Sequence, residues 1–408
     1  MNQTLSALLI RSFALLLLCA SAALVLACVS SRQPDAAEQA AGGTPTTAEA
    51  DAQTLEARTA ELRRLYEKPV DQWPPAQVDE GVAFVEFGPM PEPVFPDDNP
   101  HTDAKEQLGE LLFFDPRLSG SGQMACASCH DPDLGWTDGR TASFGDRRLL
   151  LKRNAPTIKN SGHFTTLFWD GRAKSLEELV LAVIQNPDEL HATLPGVEQT
   201  IAKSSAYLDH FEKAFGDRRV TADRIAKAVA TFCRTVNSER NDLDRFMAGD
   251  YDELSDAAVR GLHLFRNNAR CVNCHHGPLF TDNQFHNIGL SAFGQKKFED
   301  RGRWHVTKKV EDVGAFRTPA LRNITKTAPY MHHGRFTLEN VLNLYNVGMP
   351  DLKPRRGQED DPNFPIKDPL IKPLDLTQDQ LADLRAFIEH LEENRRRVDP
   401  PDLPAFDE

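Results

Sequence analysis

Two stretches of the chain carry reactive side chains at one and the same spacing. CASCH holds Cys126, Cys129 and His130, and CVNCH holds Cys271, Cys274 and His275. Two thiols three positions apart reach the two vinyl groups of one porphyrin, and the next residue lies beneath the ring and offers an imidazole nitrogen to iron. Paired zinc motifs ordinarily lie ~15–20 residues apart, whereas these lie 145 apart. A thioredoxin-like use of CxxC needs βαβ surroundings, and neither pair has them. The repeated motif therefore predicts two covalently bound c-type haems. Of the remaining cysteines, Cys19 and Cys28 fall in a leader-like N-terminus, and Cys233, alone in ATFCRTV, reads as a small buried apolar residue.

The side of each iron away from its histidine separates a carrier from an enzyme. An electron carrier keeps six ligands, whereas peroxide chemistry needs an open position with a proton-transfer group beside it. Residues 131–153 contain neither His nor Met, so no second ligand follows the first motif, and His163 and His191 read as ordinary polar histidines. Near the end of the chain, LNLYNVGMP places Tyr345 and Met349 four apart. On one helix they share a face, and either could ligate the second iron. A di-haem electron carrier without turnover is the competing reading. It predicts two six-coordinate irons and no reaction with peroxide.

These side chains need elements to hold them. Gly109-Glu-Leu-Leu112-Phe113 precedes the first motif and Gly261-Leu-His-Leu264-Phe265 precedes the second. Both read as a helix ending in Leu-Phe before a haem loop. The chain is expected to be mostly α with little β structure, built from two similar cytochrome c-like haem domains joined near 241–252. The divisions are a leader over 1–27, a tether and proline-rich surface-wrapping segment over 28–98, haem domains over 99–245 and 246–395, and a tail over 396–408. Thr102 or Asp103 caps the first helix, with Glu106 completing a box to Asp103. Ser175 and Glu178 form a capping box before LVLAVIQ, and Asn186-Pro187 ends that helix. Thr377 with Gln380 caps a helix whose Leu381, Leu384, Ile388 and Leu391 line one face.

Hydrophobic residues make up 40% and charged residues 26%, as in an ordinary globular protein. A net charge of −13 argues against nucleic-acid binding and is compatible with a basic protein partner. Residues 12–28, SFALLLLCASAALVLAC, have the apolar core and small-residue end of a secretory leader and are too short to span a membrane well. VLAC at 25–28 resembles a lipobox, in which Cys28 is lipidated and tethers an exported, periplasmic body to a membrane.

NAPTIKN, LFWDGRAKSLEEL and NPDEL in the first half, with CHHGPLFTDNQFHNIGL, GAFRTPALRN and TAPYMHHGRFTLENV in the second, resemble the bacterial di-haem cytochrome c peroxidases and the related MauG-type enzymes. The resemblance runs from about residue 99 to 393. It implies that hydrogen peroxide is reduced at the first haem. The electrons would come from a small redox protein or from a tyrosine or tryptophan of a protein substrate. It implies Glu189 as the acid–base carboxylate, Trp169 as the relay between the haems, and Asn154, Thr327 and Pro329 as a calcium site between the domains. His332 falls beside the second haem. Aligned on Leu338, the ligand position of that haem falls on Tyr345, as in MauG-type members. Met349, after Gly348 and before Pro350, then reads as a helix-end residue. Family members are often dimers. The family often has Gln ten residues before Glu189, where this chain has Leu179, and peroxidases of the usual type carry a His after the first motif that this chain lacks.

Overall fold

The computed structural model describes residues 47–394 and 397–407. The leader, the lipobox and Cys28 lie outside the described residues. Eleven α-helices are described: α1 (Thr47–Tyr66), α2 (Asp103–Phe114), α3 (Leu176–Gln185), α4 (Leu194–Ile201), α5 (Ser205–Phe215), α6 (Ala222–Thr235), α7 (Asp242–Met247), α8 (Asp256–Arg266), α9 (Trp304–Thr307), α10 (Leu338–Asn346) and α11 (Gln378–Glu389). Two strands of two residues, β1 (Phe285–His286) and β2 (Phe316–Arg317), pair antiparallel with Phe285 opposite Arg317. The fold is mostly helical with little sheet, as the sequence implies. No helix among the described residues is long and apolar enough to cross a membrane.

Residues 52–408 form one compact unit with two apolar cores. The first gathers α2, α3, α5 and α6 around Leu108, Leu112, Phe113, Ile225 and Val229. The second gathers α7, α8 and α11 around Leu243, Leu262, Phe265, Leu384 and Phe387. The internal repeat has a packing cause. A Cβ on Gly109 of α2 would stand 2.0 Å from the Ala228 carbonyl oxygen of α6, and one on Gly261 of α8 would stand 2.0 Å from the Asp383 carbonyl oxygen of α11. Only a residue without a side chain lets each helix pair approach so closely. The phenylalanine four residues on then meets its partner: Phe113 with Phe232 at 5.3 Å between ring centres, and Phe265 with Phe387 at 5.2 Å.

Several boundaries differ from the sequence reading. Thr102 caps α2 by accepting from the Lys105 N–H, while Glu106 pairs with His101 instead of closing a box to Asp103. Ser175 accepts from the Glu178 N–H, but the Glu178 carboxylate takes the Lys174 N–H, so that box is half made. The Thr377–Gln380 box is complete. The 28–98 segment is more than a tether and a wrap. Residues 74–100 lack regular structure, but α1 is helical, and Leu62, Tyr66, Trp73 and Phe87 are buried in the second core. Of the 396–408 tail, the described residues 397–407 return to the first half, where Arg117 donates to the Pro404 carbonyl and lies over the Phe406 ring. Along the middle of the chain the buried residues pass from the first core to the second between Val236 and Leu243.

Candidate functional site

The two CxxCH loops have the same local geometry. A single 3-10 turn begins at each first cysteine, and the histidine N–H donates back to that cysteine's carbonyl, at 3.1 Å for His130 and 2.8 Å for His275. His130 Nδ1 lies 3.1 Å from the Trp136 carbonyl oxygen and His275 Nδ1 lies 2.9 Å from that of Phe280. A carbonyl only accepts, so Nδ1 carries the proton and Nε2 keeps a lone pair for a metal. Burial pulls the pKa of both rings down, which favours the neutral form. The cysteines of both loops and Cys233 form no disulfide among the described residues. Burial pushes the thiol of Cys126 up to about 12, that of Cys129 to about 11 and that of Cys271 to about 12, so none is a thiolate nucleophile at neutral pH.

The second loop opens on a largely apolar cavity lined by Cys271, Cys274, His275, Tyr345, Trp169 and Arg317, among others. Both halves of the chain contribute to it. Arg317 is the informative residue. Its guanidinium is buried without a carboxylate partner among the described residues, Nε has no hydrogen bond there, and burial pulls its pKa down to about 10. A buried cation without an anion signals a missing anionic ligand, and a haem brings two propionates. The cysteines, the histidine and this unmatched charge together fit a c-type haem.

Tyr345, on the last turn of α10, lines that cavity, and burial pushes its phenol pKa well above the ordinary value. Met349 lies past the end of α10, is 4% exposed, has a left-handed backbone (φ 60°), and its N–H closes the helix end on the Leu344 carbonyl. It is not among the residues lining the cavity.

Around the first loop, Glu189 lies within electrostatic reach of both Cys126 and Cys129. Burial raises its pKa against the opposing influence of Arg172 and Asn186, and its Oε2 is buried with no hydrogen-bond partner. Backbone holds the NPDEL loop in place. The Asp146 N–H donates to the Glu189 carbonyl at 2.8 Å, and a Cβ on Gly145 would overlap the Asp188 carbonyl. Leu179, at the position of the missing Gln, packs against the first core. His191 pairs with Asp146 at 3.0 Å and His163 with Asn237 at 3.1 Å, as ordinary polar histidines do.

On the wall of the second loop's cavity, Trp169 donates from Nε1 to the Asn154 carbonyl at 2.9 Å, and its ring stands 6.5 Å from His332, edge to face. His332 in turn stacks on Phe316 at 3.7 Å, and burial holds its pKa down at about 3, so it is neutral. Asn154, Thr327 and Pro329 all line the same cavity. Asn154 donates its amide N–H to the Arg140 carbonyl at 2.7 Å, leaving Oδ1 as a donor atom for a cation. The three supply neutral oxygens and no carboxylate, a set that a calcium ion accepts only when water completes its shell.

The sequence reading passed over two groups. Arg317 sits in GAFRTPALRN, but nothing in that string says its charge lacks a partner. His286, in NQFHNIG, donates to Asp282 at 2.9 Å and to Asp368 at 2.7 Å. Burial opposes its charged form, yet the two carboxylates hold its pKa up at about 12. Cys274, Asp282 and His286 cluster at metal-binding distances, but both ring nitrogens are occupied as donors, so His286 is no ligand.

Comparison with known proteins agrees with this geometry. The family described as di-haem cytochrome c peroxidase matches residues 103–252. The chain is 36% identical over 349 residues to the cytochrome-c peroxidase IdrP1 of Pseudomonas sp. (strain SCT), covering 78% of this chain and 89% of that protein. The chain belongs to the di-haem cytochrome c peroxidase family. It is a di-haem oxidoreductase of that class. It is also 37% identical over 311 residues to the methylamine utilization protein MauG of Methylorubrum extorquens, covering 76% of this chain and 84% of that one. Among solved structures, it superposes on a MauG-like protein associated with microbial copper homeostasis with a TM-score of 0.67 and 33% identity, over 74% of this chain and 93% of that one. The diheme peroxidase BthA from Burkholderia thailandensis shares the fold, with a TM-score of 0.60 and 24% identity over 82% and 98% of the two chains.

Proposed function

We propose that the protein is an exported, periplasmic peroxidase that reduces hydrogen peroxide at the first CxxCH loop and draws its electrons through the second. Each loop, with its own haem domain, would hold one haem, which supplies peroxide binding and one-electron chemistry when bound. His130 and His275 would each present Nε2 to iron, and Tyr345 would complete the second site. Glu189 would take a proton from one peroxide oxygen and return it to the other, so that water leaves. Trp169, between His332 and the Asn154 carbonyl, would carry electrons from one half to the other. Asn154, Thr327 and Pro329 would hold calcium where the halves meet. The reductant would be a small redox protein or an aromatic side chain of a protein substrate.

The observation that carries this reading is the buried, unpartnered Oε2 of Glu189 beside Cys126 and Cys129. A carboxyl oxygen without a protein partner is suited to a bound water or peroxide. The resemblance to proteins named cytochrome-c peroxidase supports the same role. Glu189→Gln should slow the reaction with peroxide by roughly 100-fold or more, seen by stopped-flow absorbance, while two haems remain attached per chain. An undiminished rate in a fully loaded variant would remove Glu189 from the chemistry.

A further inference from the structure

Between β1 and β2 the chain makes a closed excursion over 291–314. Its ends meet, for a Cβ on Gly314 would stand 2.8 Å from that of Ser291, and within it the Asp300 N–H donates back to the Ser291 carbonyl at 2.9 Å. Compact loops of this kind sit on surfaces and are frequently functional. This one inverts the charge of the molecule. In a chain of net charge −13 it exposes Lys296, Lys297, Lys308 and Lys309. Lys296, Lys297 and Lys308 make no ion pair among the described residues, and Lys309 reaches only Glu311, at 4.0 Å. Among the lysines stand the exposed side chains of Phe298, Val306 and Val310. Trp304 is half-buried beneath them, with Lys308 Nζ 4.4 Å and the Arg301 guanidinium 5.0 Å from its ring, and its Nε1 has no partner.

The base of the loop is tied to the residue after Trp169. Arg153 pairs with Asp300 and with Asp170, each at 2.7 Å, and Arg303 donates to the Asp170 carbonyl at 3.3 Å. We infer that the 291–314 loop is the docking surface for an acidic redox protein and that Trp304 passes its electron inward toward the second loop's cavity, on whose wall Trp169 stands. The inference rests on the peroxidase reading above. Two docked donors would each lose one electron; with two protons these break the O–O bond of one peroxide and form two waters. Lysines around an apolar patch suit a partner whose redox edge is ringed by carboxylates. An anionic membrane would also attract the lysines, but it has no use for an aromatic tied to Trp169.

The test uses the full-length holoenzyme with Lys296, Lys297, Lys308 and Lys309 all changed to Glu. Its probes are a reduced acidic cytochrome c, a reduced basic cytochrome c and neutral hydroquinone. KM for the acidic cytochrome should rise about tenfold at low salt and KM for the basic one should fall, with hydroquinone turnover unchanged. Calorimetric titration with the acidic cytochrome should lose its affinity in parallel, independent of turnover. Trp304→Phe should lower kcat with the acidic cytochrome several-fold at constant KM. An unchanged KM and affinity in the charge-reversed protein would overturn the inference. So would a variant that loses binding only to phosphatidylglycerol vesicles. Absent hydroquinone turnover in the unaltered protein would instead count against the peroxidase reading, while the calorimetric arm would still decide the docking surface.

Discussion

Tyr345 and Met349 lie one helical turn apart and face different surroundings. The phenol lines the cavity with Cys271, Cys274 and His275, whereas the methionine is packed beyond the helix end in a left-handed backbone. A phenolate ligand lowers a haem potential and a thioether raises it. The ferric protein should therefore lack the weak near-infrared band of a methionine–iron bond. Tyr345→Met should gain the band and raise the potential of one haem, while Met349→Leu should change neither. A band in the unaltered protein that disappears in Met349→Leu would reverse the assignment. The sequence proposes the haem-binding residues because CxxCH has few other uses, and proposes Glu189 and Trp169 because they stand in ordered motifs. Arg317 and His286 were not legible in it. What marks Arg317 is the absence of a carboxylate, and what marks His286 is the presence of two, and partners brought from elsewhere in the chain leave no trace in a local string.

Helix pairs are set by what their crossing point omits. Gly109 and Gly261 each leave room for a carbonyl of the facing helix, and Gly261 also lies close to the Phe387 Cβ. Gly261→Ala would gain a little helix propensity, but its Cβ cannot coexist with the Asp383 carbonyl oxygen. The pair must separate, loosening the contact of Phe265 with Phe387. The net cost should be about 2–3 kcal/mol, read as a lower midpoint in denaturant unfolding of the holoprotein, and Gly109→Ala should behave alike on α2 and α6. An unchanged midpoint would mean that the crossing is not tight. The repeat in the sequence pointed to this duplication, and the stripe Leu381, Leu384, Ile388, Leu391 is buried as its spacing requires. Helix α1 was missed for a physical reason. An Ala- and Glu-rich stretch is as consistent with a solvated tether as with a polar helix, and what fixes the segment is the burial of a few residues such as Leu62 and Tyr66 against a core far along the chain.

At the scale of the molecule, the halves are joined by their ends and through their middle. Residues 62–87 complete the second core, residues 398–407 return to the first, and in the middle Trp169 of the first half meets His332 of the second edge to face, with His332 stacked on Phe316. That stack makes the junction sensitive to acid. Burial holds His332 at about 3 and His333 at about 4, against 6.5 for a free imidazole. The unfolded chain therefore takes up protons that the folded chain refuses. The contribution of these histidines to stability is full above 6.5 and falls as the pH drops toward the folded values. His332 alone should cost about 3 kcal/mol by pH 4. Asp300, held down at about 2 chiefly by Arg153 against its own desolvation, extends the loss further into acid. His286 does not oppose this. Its pKa is raised to about 12, so its contribution is already complete below 6.5 and is lost only toward alkali. Denaturant unfolding of the holoprotein between about pH 4 and pH 7 should show this slope. His332→Phe, which keeps the stack on Phe316 and removes the proton site, should flatten most of it. A variant with the slope of the unaltered protein would show that acid opens the molecule somewhere other than between its halves.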